Sequence, residues 1–135
     1  MQFAESPQPS DFGTAGMPSL TVLVCTHNRA ALLAKTLTSL NAAERPQDWN
    51  VNVMVAANAC TDTTHAYLDH YREHAQEWGH LPLTWIAEPT PGKSNALNTA
   101  LPRIRGDLVA FVDDDHRVDA AYLVAVCRAA EAHPE

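Results

Sequence analysis

The chain has 135 residues, of which 46% are hydrophobic and 19% are charged, and its formal net charge is −7. These values suit one globular domain, or part of a larger one. The nine basic residues are scattered along the sequence. Because nucleic-acid grooves need clustered Lys and Arg against phosphates, the composition argues against a nucleic-acid partner.

The three cysteines are Cys25, Cys60 and Cys127, and no two of them form a C-x-x-C pair. This pattern indicates neither a zinc site nor a disulfide framework, and it favours reduced thiols in a cytoplasmic protein. The sequence also has no signal-peptide pattern and no apolar run of about 18 residues, so no membrane span is predicted.

The N-terminal residues 1–18 are polar and rich in Pro, Gly and Ser, which predicts a flexible leader before a folded domain over residues 19–135. The apolar, β-branched run at residues 20–25 is typical of a buried strand. The segment THNR follows it, and Asn28 is placed there to cap a helix. The apolar residues of this helix recur at i, i+4 and i+7, at Leu33, Leu37 and Leu40.

The rest of the chain repeats this pattern of a strand followed by a helix. Further strands are predicted at residues 51–57, 81–87 and 108–112. A second helix is predicted from a cap at Thr61 or Asp62 to about Trp78, and Gly79 ends it. A third is predicted after residues 88–94, with Leu97, Leu101 and Ile104 on one apolar face. The last is predicted from about Asp119 to Ala132.

Four strand–helix repeats predict an α/β fold with right-handed crossovers, a mostly parallel sheet and helices on both faces. In such sheets ligands bind at the carboxyl ends of the strands. A polar cluster follows each predicted strand, at residues 26–29, 58–62, 88–94 and 113–115. We therefore expect these four segments to meet at one crevice.

Three adjacent carboxylates, Asp113, Asp114 and Asp115, follow the fourth predicted strand. Alternate residues leaving a strand can point the same way, so Asp113 and Asp115 can share a face while Asp114 points elsewhere. Carboxylate oxygens suit Mg²⁺ or Mn²⁺, which bind through one or two carboxylates together with substrate phosphates. The alternative is a solvated acidic turn before the last helix, but the position directly after a buried strand favours a metal site.

The stretch EPTPGKSNALN contains a Gly-Lys-Ser sequence that also occurs in ATP-binding phosphate loops. The full phosphate-loop pattern needs a further glycine where this chain has Ala87. Pro89 and Pro91 also lack the backbone N–H groups that such a loop offers to phosphate. The sequence therefore argues against a phosphate loop in the strict sense.

Two further motifs point to other enzyme classes. An aspartyl-phosphate phosphatase would have Thr or Val at the position of Arg117 and would carry its aspartates after the first strand. Residues 70–74 match the inverted zinc motif H-x-x-E-H. Because His74 borders an apolar stripe and the helix is remote from the strand ends, the sequence favours a solvated helix flank there.

Four motifs, TVLVCTHNR, VMVAANACTDTT, EPTPGKSNALNTAL and GDLVAFVDDD, occur in this order. Together they resemble the nucleotide-sugar-binding half of family 2 glycosyltransferases. The resemblance covers residues 19–135 and implies the Rossmann-like GT-A fold of that family. The predicted sheet lacks the strands that normally follow, so the fold is expected to be truncated.

The resemblance also implies roles for individual residues. Lys93 matches the basic residue directed at the donor phosphates, Thr26, Arg29 and Asn58 match segments that line the base pocket, and Asp114 matches the position near the ribose. The implied nucleotide-sugar-binding residues are Thr26, Asn28, Arg29, Asn58, Asp62, Lys93, Asp113 and Asp114, and the implied metal ligands are Asp113 and Asp115. The family usually has an aspartate where this chain has Ala57, so base recognition is the role that this departure affects.

The implied reaction is transfer of a sugar from a nucleoside-diphosphate donor to an acceptor hydroxyl, with inversion and with Mg²⁺ or Mn²⁺ as cofactor. The carboxylate base of the family lies well beyond the D-x-D, so it is expected after Glu135 and no catalytic base is assigned. The isolated 135 residues are accordingly expected to bind a donor without turnover. The expected location is the cytoplasm, or the periphery of the inner face of a membrane.

Two alternatives remain open. One is a non-catalytic nucleotide-binding fragment or scaffold that keeps the fold. The other is a sugar nucleotidyltransferase, whose glycine-rich signature should follow the first strand. The segment CTHNRAALL has no glycine at that place, which counts against the second alternative.

Overall fold

The computed structural model describes residues 16–133, so nearly all of the predicted leader lies outside the described residues. Four strands alternate with four α-helices, as the sequence predicts. The strands are β1 (Ser19–Thr26), β2 (Asn50–Asn58), β3 (Leu83–Glu88) and β4 (Leu108–Phe111). The helices are α1 (Ala30–Ala42), α2 (Thr64–His74), α3 (Lys93–Ala100) and α4 (Tyr122–Ala132), and a 3-10 turn at Leu101–Arg103 follows α3.

The four strands form one sheet in the order β3-β2-β1-β4, and every neighbouring pair is parallel. The chain moves outwards from β1 to β3 through α1 and α2 and then returns past β1 to β4 through α3. Because crossovers are right-handed, this reversal puts α3 on the opposite face from α1 and α2. The strand order changes direction between β1 and β4, and such a switch point is where α/β sheets bind ligands.

The larger core lies on the face of the sheet that α1, α2 and α4 cover. Alternate residues of β1 and β2 point into it, as the two-residue period of a strand requires. They meet the apolar stripe of α1 that the sequence predicts at Leu33, Leu37 and Leu40, all of them buried. From the other two helices Leu68, Tyr71, Leu123 and Cys127 complete this core.

The smaller core lies under α3 on the opposite face. Ala96 and Ala100 are fully buried there against Leu23, Met54 and Ala56. These alanines have no side chain beyond Cβ, so the helix can lie close to the strands. The predicted α/β class, the parallel sheet and the helices on both faces are thus confirmed.

Several helix ends differ from the sequence prediction. The predicted cap Asn28 has φ 52° and caps no helix, since Arg29 is the N-cap residue of α1 and makes no side-chain capping bond. The third helix ends before Leu101, which is 40% exposed, because Pro102 cannot continue an α-helical hydrogen-bond ladder. The second helix ends at His74 rather than Trp78, and the last begins at Tyr122 rather than Asp119.

Among the helices of residues 16–133, none combines the length and the apolar character that a membrane crossing requires.

Candidate functional site

The loops after the strands meet in an open cleft at the carboxyl edge of the sheet. The cleft has a volume of about 350 Å³, which lies within the usual range for small-molecule sites. The end of β1 and the loop after it, the end of β2, the start of α3 and the segment after β4 line this cleft. The lining residues are Cys25, Thr26, His27, Arg29, Asn58, Lys93, Asp113, Asp114 and Asp115. Seven of these nine residues are candidates from the sequence.

Asp114 is the buried member of the three aspartates, with a relative exposure of 7%. Its Oδ2 accepts a hydrogen bond of 2.8 Å from the Thr26 hydroxyl, and its Oδ1 accepts one of 3.3 Å from Arg29 Nη1. The Thr36 hydroxyl of α1 donates to its backbone carbonyl at 2.9 Å. Because a buried carboxylate is stable only when it is paired and hydrogen-bonded, Asp114 holds the segment after β4 against β1 and α1.

Asp113 and Asp115 are exposed and line the cleft, and the exposed His116 lies next to them outside the cleft lining. The three side chains each offer a ligand atom, and these atoms lie within 4.8 Å of one another. The oxygen atoms of two carboxylates are donors that Mg²⁺ and Mn²⁺ favour, and an imidazole is compatible with Mn²⁺ or a later transition metal. The donor set therefore fits the divalent cation that the resemblance implies. His116 was not among the candidates from the sequence.

Two cations lie beside these carboxylates. Lys93 Nζ is 3.4 Å from Asp113 Oδ1, and Arg29 Nη1 is 3.8 Å from Asp115 Oδ2. Both cationic side chains are more than half exposed, so these pairs are worth little for stability. Their placement matters more for binding, because it gives the cleft both a carboxylate pair for a metal and two cations for an anionic ligand.

Asn58 fixes the loop that carries Lys93. Its side-chain nitrogen donates to the carbonyls of Glu88 and Thr90 at 3.1 and 2.8 Å, and its Oδ1 accepts from the Gly92 N–H at 2.9 Å. These bonds go to the last residue of β3 and to the loop between β3 and α3, and Asn58 itself is 7% exposed. The amide thus acts as a template for the loop that precedes Lys93.

The side chain of Glu88, the last residue of β3, also holds this loop. Its carboxylate accepts hydrogen bonds from the Thr90 N–H at 2.9 Å and from the Thr99 hydroxyl of α3. The hydrogen bond from Thr99 lowers the pKa of Glu88 below its ordinary value, and the Thr90 N–H adds to this effect. Gly92 adopts φ 125°, a conformation that side chains rarely allow, directly before Lys93.

Cys25 and His27 line the cleft although the sequence reading did not select them. His27 Nδ1 is 2.7 Å from the Asn58 carbonyl. A carbonyl oxygen only accepts, so Nδ1 donates this hydrogen bond. Burial raises the pKa of the Cys25 thiol, and the nearby Lys93 partly opposes that rise. Their signal in the sequence was only their position beside Thr26.

Asn28 and Asp62, two of the predicted nucleotide-sugar-binding residues, do not line the cleft. They join the loops after β1 and β2 to each other. Asn28 Oδ1 accepts the N–H groups of Thr61 and Asp62 at 2.7 and 3.2 Å. The Asp62 carboxylate accepts the N–H of Ala30, at the start of α1, at 3.3 Å and that of Thr64, at the start of α2, at 3.0 Å. The structure gives both side chains protein partners next to the cleft.

Several relatives match most of this chain. It is 33% identical over 111 residues to beta-monoglucosyldiacylglycerol synthase of Nostoc sp., a match that covers 82% of this chain and 23% of that protein. It is 31% identical over 107 residues to succinoglycan biosynthesis protein ExoM of Rhizobium meliloti, covering 79% of this chain and 33% of that protein. The chain thus spans a third or less of the length of these relatives.

Solved structures match the fold over a similar range. S. aureus TarS superposes with a TM-score of 0.72 at 25% identity, over 86% of this chain and 33% of the TarS chain. The mannosyltransferase PcManGT from Pyrobaculum calidifontis, solved with GDP-Man and Mn²⁺, superposes with a TM-score of 0.71 at 30% identity, over 85% of this chain and 33% of its own. A further TarS structure contains UDP-GlcNAc and matches at 27% identity with a TM-score of 0.69, over 86% of this chain and 32% of that one.

These matches confirm the Rossmann-like GT-A fold and agree with the expectation that only part of that fold is present here. The sequence model of the family described as glycosyl transferase family 2 matches residues 21–135. With the four strand-end loops gathered around one acidic and basic cleft, this match shows that the chain belongs to glycosyl transferase family 2.

Proposed function

We propose that the cleft binds a nucleoside-diphosphate sugar together with Mg²⁺ or Mn²⁺, as the donor site of an inverting glycosyltransferase. The observation that carries the proposal is the meeting of Asp113, Asp115 and Lys93 in one cleft. A net-negative protein repels a diphosphate unless cations offset its charge. The cleft provides such cations in Lys93 and Arg29 and a carboxylate pair for a metal.

The ligands of the structural neighbours support the same assignment. PcManGT was solved with GDP-Man and Mn²⁺, and TarS with UDP-GlcNAc. Both proteins share the fold over about 85% of this chain. The two donors differ in base and in sugar, so the shared chemistry that we propose for this chain is the diphosphate and the divalent cation.

In the proposed complex Asp113 and Asp115 hold the cation, with His116 as a third ligand for Mn²⁺. A divalent cation bound there supplies Lewis-acid stabilisation of the diphosphate. The ammonium of Lys93 stabilises the negative charge that develops on the departing diphosphate, an electrostatic role that a preorganised cation fulfils without reorganisation. No side chain of residues 16–133 caps α3, so the positive end of its dipole also favours an anion beside Lys93.

We propose that base recognition differs from the family pattern. The family aspartate is replaced by Ala57, which is 1% exposed. The polar groups of Thr26 and Asn58 already have protein partners. These two residues then shape the base pocket by positioning loops, and the base is contacted by His27 and by the N–H groups of Arg29 other than Nη1, which pairs with Asp114 and Asp115.

The whole protein is then a transferase whose acceptor is a hydroxyl group. We assign no catalytic base among residues 16–133. We also propose a cytoplasmic location, or one at the inner face of a membrane. The free state of Cys25, Cys60 and Cys127 supports a reducing compartment.

The test is calorimetric titration of the chain with UDP, GDP and dTDP, each with and without Mn²⁺. At least one diphosphate is expected to bind, with an affinity that rises when Mn²⁺ is present. Asp115→Ala should remove the gain from Mn²⁺. Lys93→Ala should weaken binding about tenfold, as expected for the loss of one charge-assisted contact. Asp119→Ala, an exposed aspartate outside the cleft lining, is the matched control and should bind as the native chain does.

Each other outcome has a defined meaning. Binding that is indifferent to Mn²⁺ and to Asp115→Ala supports a non-catalytic nucleotide-binding scaffold and contradicts the donor site. Failure of all three diphosphates to bind contradicts both proposals. Equal losses in Asp115→Ala and Asp119→Ala would show that the effect is general electrostatics rather than coordination.

A further inference from the structure

A second group of metal-ligating side chains lies on α2. His70, Glu73 and His74 stand at i, i+3 and i+4, which places them on one face of the helix. Each offers a ligand atom, and these atoms lie within 4.8 Å of one another. None of the three lines the donor cleft. The group is therefore separate from the proposed Asp113 and Asp115 site.

The ring of His74 is held in place from two sides. Its Nδ1 is 3.1 Å from Glu77 Oε1, and its ring stacks on Trp78 with centroids 4.6 Å apart and planes 15° apart. A carboxylate that accepts from one ring nitrogen fixes the tautomer and leaves the other nitrogen to bind a metal. Glu77 and His74 thus form the carboxylate–histidine arrangement that supports metal ligands in proteins.

The ring of His70 lies next to this pair. Its centroid is 4.6 Å from that of His74 and 5.4 Å from that of Trp78. Both His70 and Glu73 are exposed, so a small rotamer change costs no core packing. Two imidazoles and one carboxylate at this spacing are a ligand set that Zn²⁺ takes, with water in the fourth position.

We propose that His70, Glu73 and His74 form a peripheral zinc site, with Glu77 positioning His74. The role of the site is structural. The helix ends at His74, and Glu77 and Trp78 belong to the turn that leads towards β3. A metal held at the last turn of α2 fixes His74. Because His74 contacts Glu77 and Trp78, the metal also orders the turn that contains them. In this site Glu73 is a ligand, so it is not available as the general base that a hydrolytic H-x-x-E-H site needs.

The test is a zinc titration by calorimetry in an Asp115→Ala background, which removes a ligand of the cleft group from the competition. One zinc ion per chain is expected to bind. His70→Ala and His74→Ala should each lower its affinity at least tenfold, and Glu77→Gln about tenfold, as for the loss of a residue that supports a metal ligand. His133→Ala is the control, because it removes an exposed histidine that belongs to neither group of ligands and should leave this affinity unchanged.

Two further readouts separate a metal site from a merely structural surface. Zinc should raise the melting temperature of the Asp115→Ala chain because it binds the folded state, and this rise should vanish in His70→Ala. Zinc should also change the fluorescence of Trp78, which contacts both histidines, and Trp78→Phe should lose that change while still binding zinc. If an alanine variant folds poorly, Glu73→Gln replaces it, because this change is exposed and isosteric. As a change of a proposed ligand, it should also lower the zinc affinity.

Two results would overturn the proposal. One is the absence of a bound zinc ion in the Asp115→Ala chain. The other is zinc binding with the same affinity and the same thermal shift when His70 and His74 are both alanine. Neither result bears on diphosphate binding in the cleft, because the two groups share no residue.

Discussion

The neighbouring aspartates Asp114 and Asp115 provide a sharp test of the site geometry, because replacing them should have opposite consequences. Asp114 is buried and accepts from Thr26 at 2.8 Å and from Arg29 at 3.3 Å. Asp115 is 48% exposed, and its nearest cation is 3.8 Å away. We expect Asp114→Ala to destabilise the fold and Asp115→Ala to remove metal binding with little effect on stability.

The magnitude follows from the contacts that are lost. A hydrogen bond to a charged group contributes about 1.5–3 kcal/mol, and the partly exposed Arg29 pair adds about 0.2–1 kcal/mol. Removal of a buried charge offsets a part of this sum. Asp114→Ala should therefore lower the free energy of unfolding by about 1–3 kcal/mol, whereas Asp115→Ala should change it by less than about 0.5 kcal/mol.

The measurement is urea denaturation of the native chain and both variants, followed by circular dichroism, with unchanged m-values as the condition for comparing midpoints. A double-mutant cycle with Thr26→Val should give a coupling energy of about 1–2 kcal/mol between Thr26 and Asp114. Equal stability of the two aspartate variants would refute the assignment of Asp114 as the buried anchor. A coupling energy near zero would refute its bond to Thr26.

Three further predictions concern the surroundings of the site. Asn58→Ala removes three hydrogen bonds to the segment before Lys93, so it should lower the free energy of unfolding by about 1–3 kcal/mol and weaken diphosphate binding. Unchanged diphosphate affinity in calorimetry would contradict the role of Asn58 in positioning this loop. Ala59 has φ 51°, so Ala59→Gly should raise unfolding free energy by about 1 kcal/mol, and a loss of stability in urea would show that this strain is absent. Cys127 is fully buried, and burial raises the pKa of its thiol to about 11. At pH 8 the thiol therefore stays protonated, and iodoacetamide should label Cys127 only in urea. Rapid labelling of Cys127 in the folded chain would contradict its burial.

The sheet could be predicted from the sequence because its central strands, β1 and β2, are largely buried on both faces and the edge strands β3 and β4 are also mostly apolar. Such strands appear as short apolar runs, and each run here ends where polar residues begin. Lys93 and Asp113 lie 20 residues apart, yet their meeting in the cleft followed from one rule, that parallel strands point their carboxyl ends to the same edge. Convergence of the loops therefore depended on topology more than on any single motif.

Residue roles that depend on distant partners could not be predicted. Asn28 satisfies the local rule for a helix cap, but its amide instead bonds Thr61, 33 residues away. The bonds of Asn58 to the loop before Lys93 likewise require the packed sheet to exist first. His27 and His116 carry no sequence signal beyond their position, because a histidine becomes a candidate only when its neighbours in space are known.

The most direct test of the central claim is paramagnetic broadening of backbone amide signals by Mn²⁺ in the presence of UDP or GDP. The strongest broadening should fall on residues of all four strand-end loops: Thr26, Asn58, Lys93 and Asp115. It should disappear in Asp115→Ala and persist in Asp119→Ala. Broadening confined to the opposite edge of the sheet, or unchanged in Asp115→Ala, would contradict a metal and diphosphate site in this cleft.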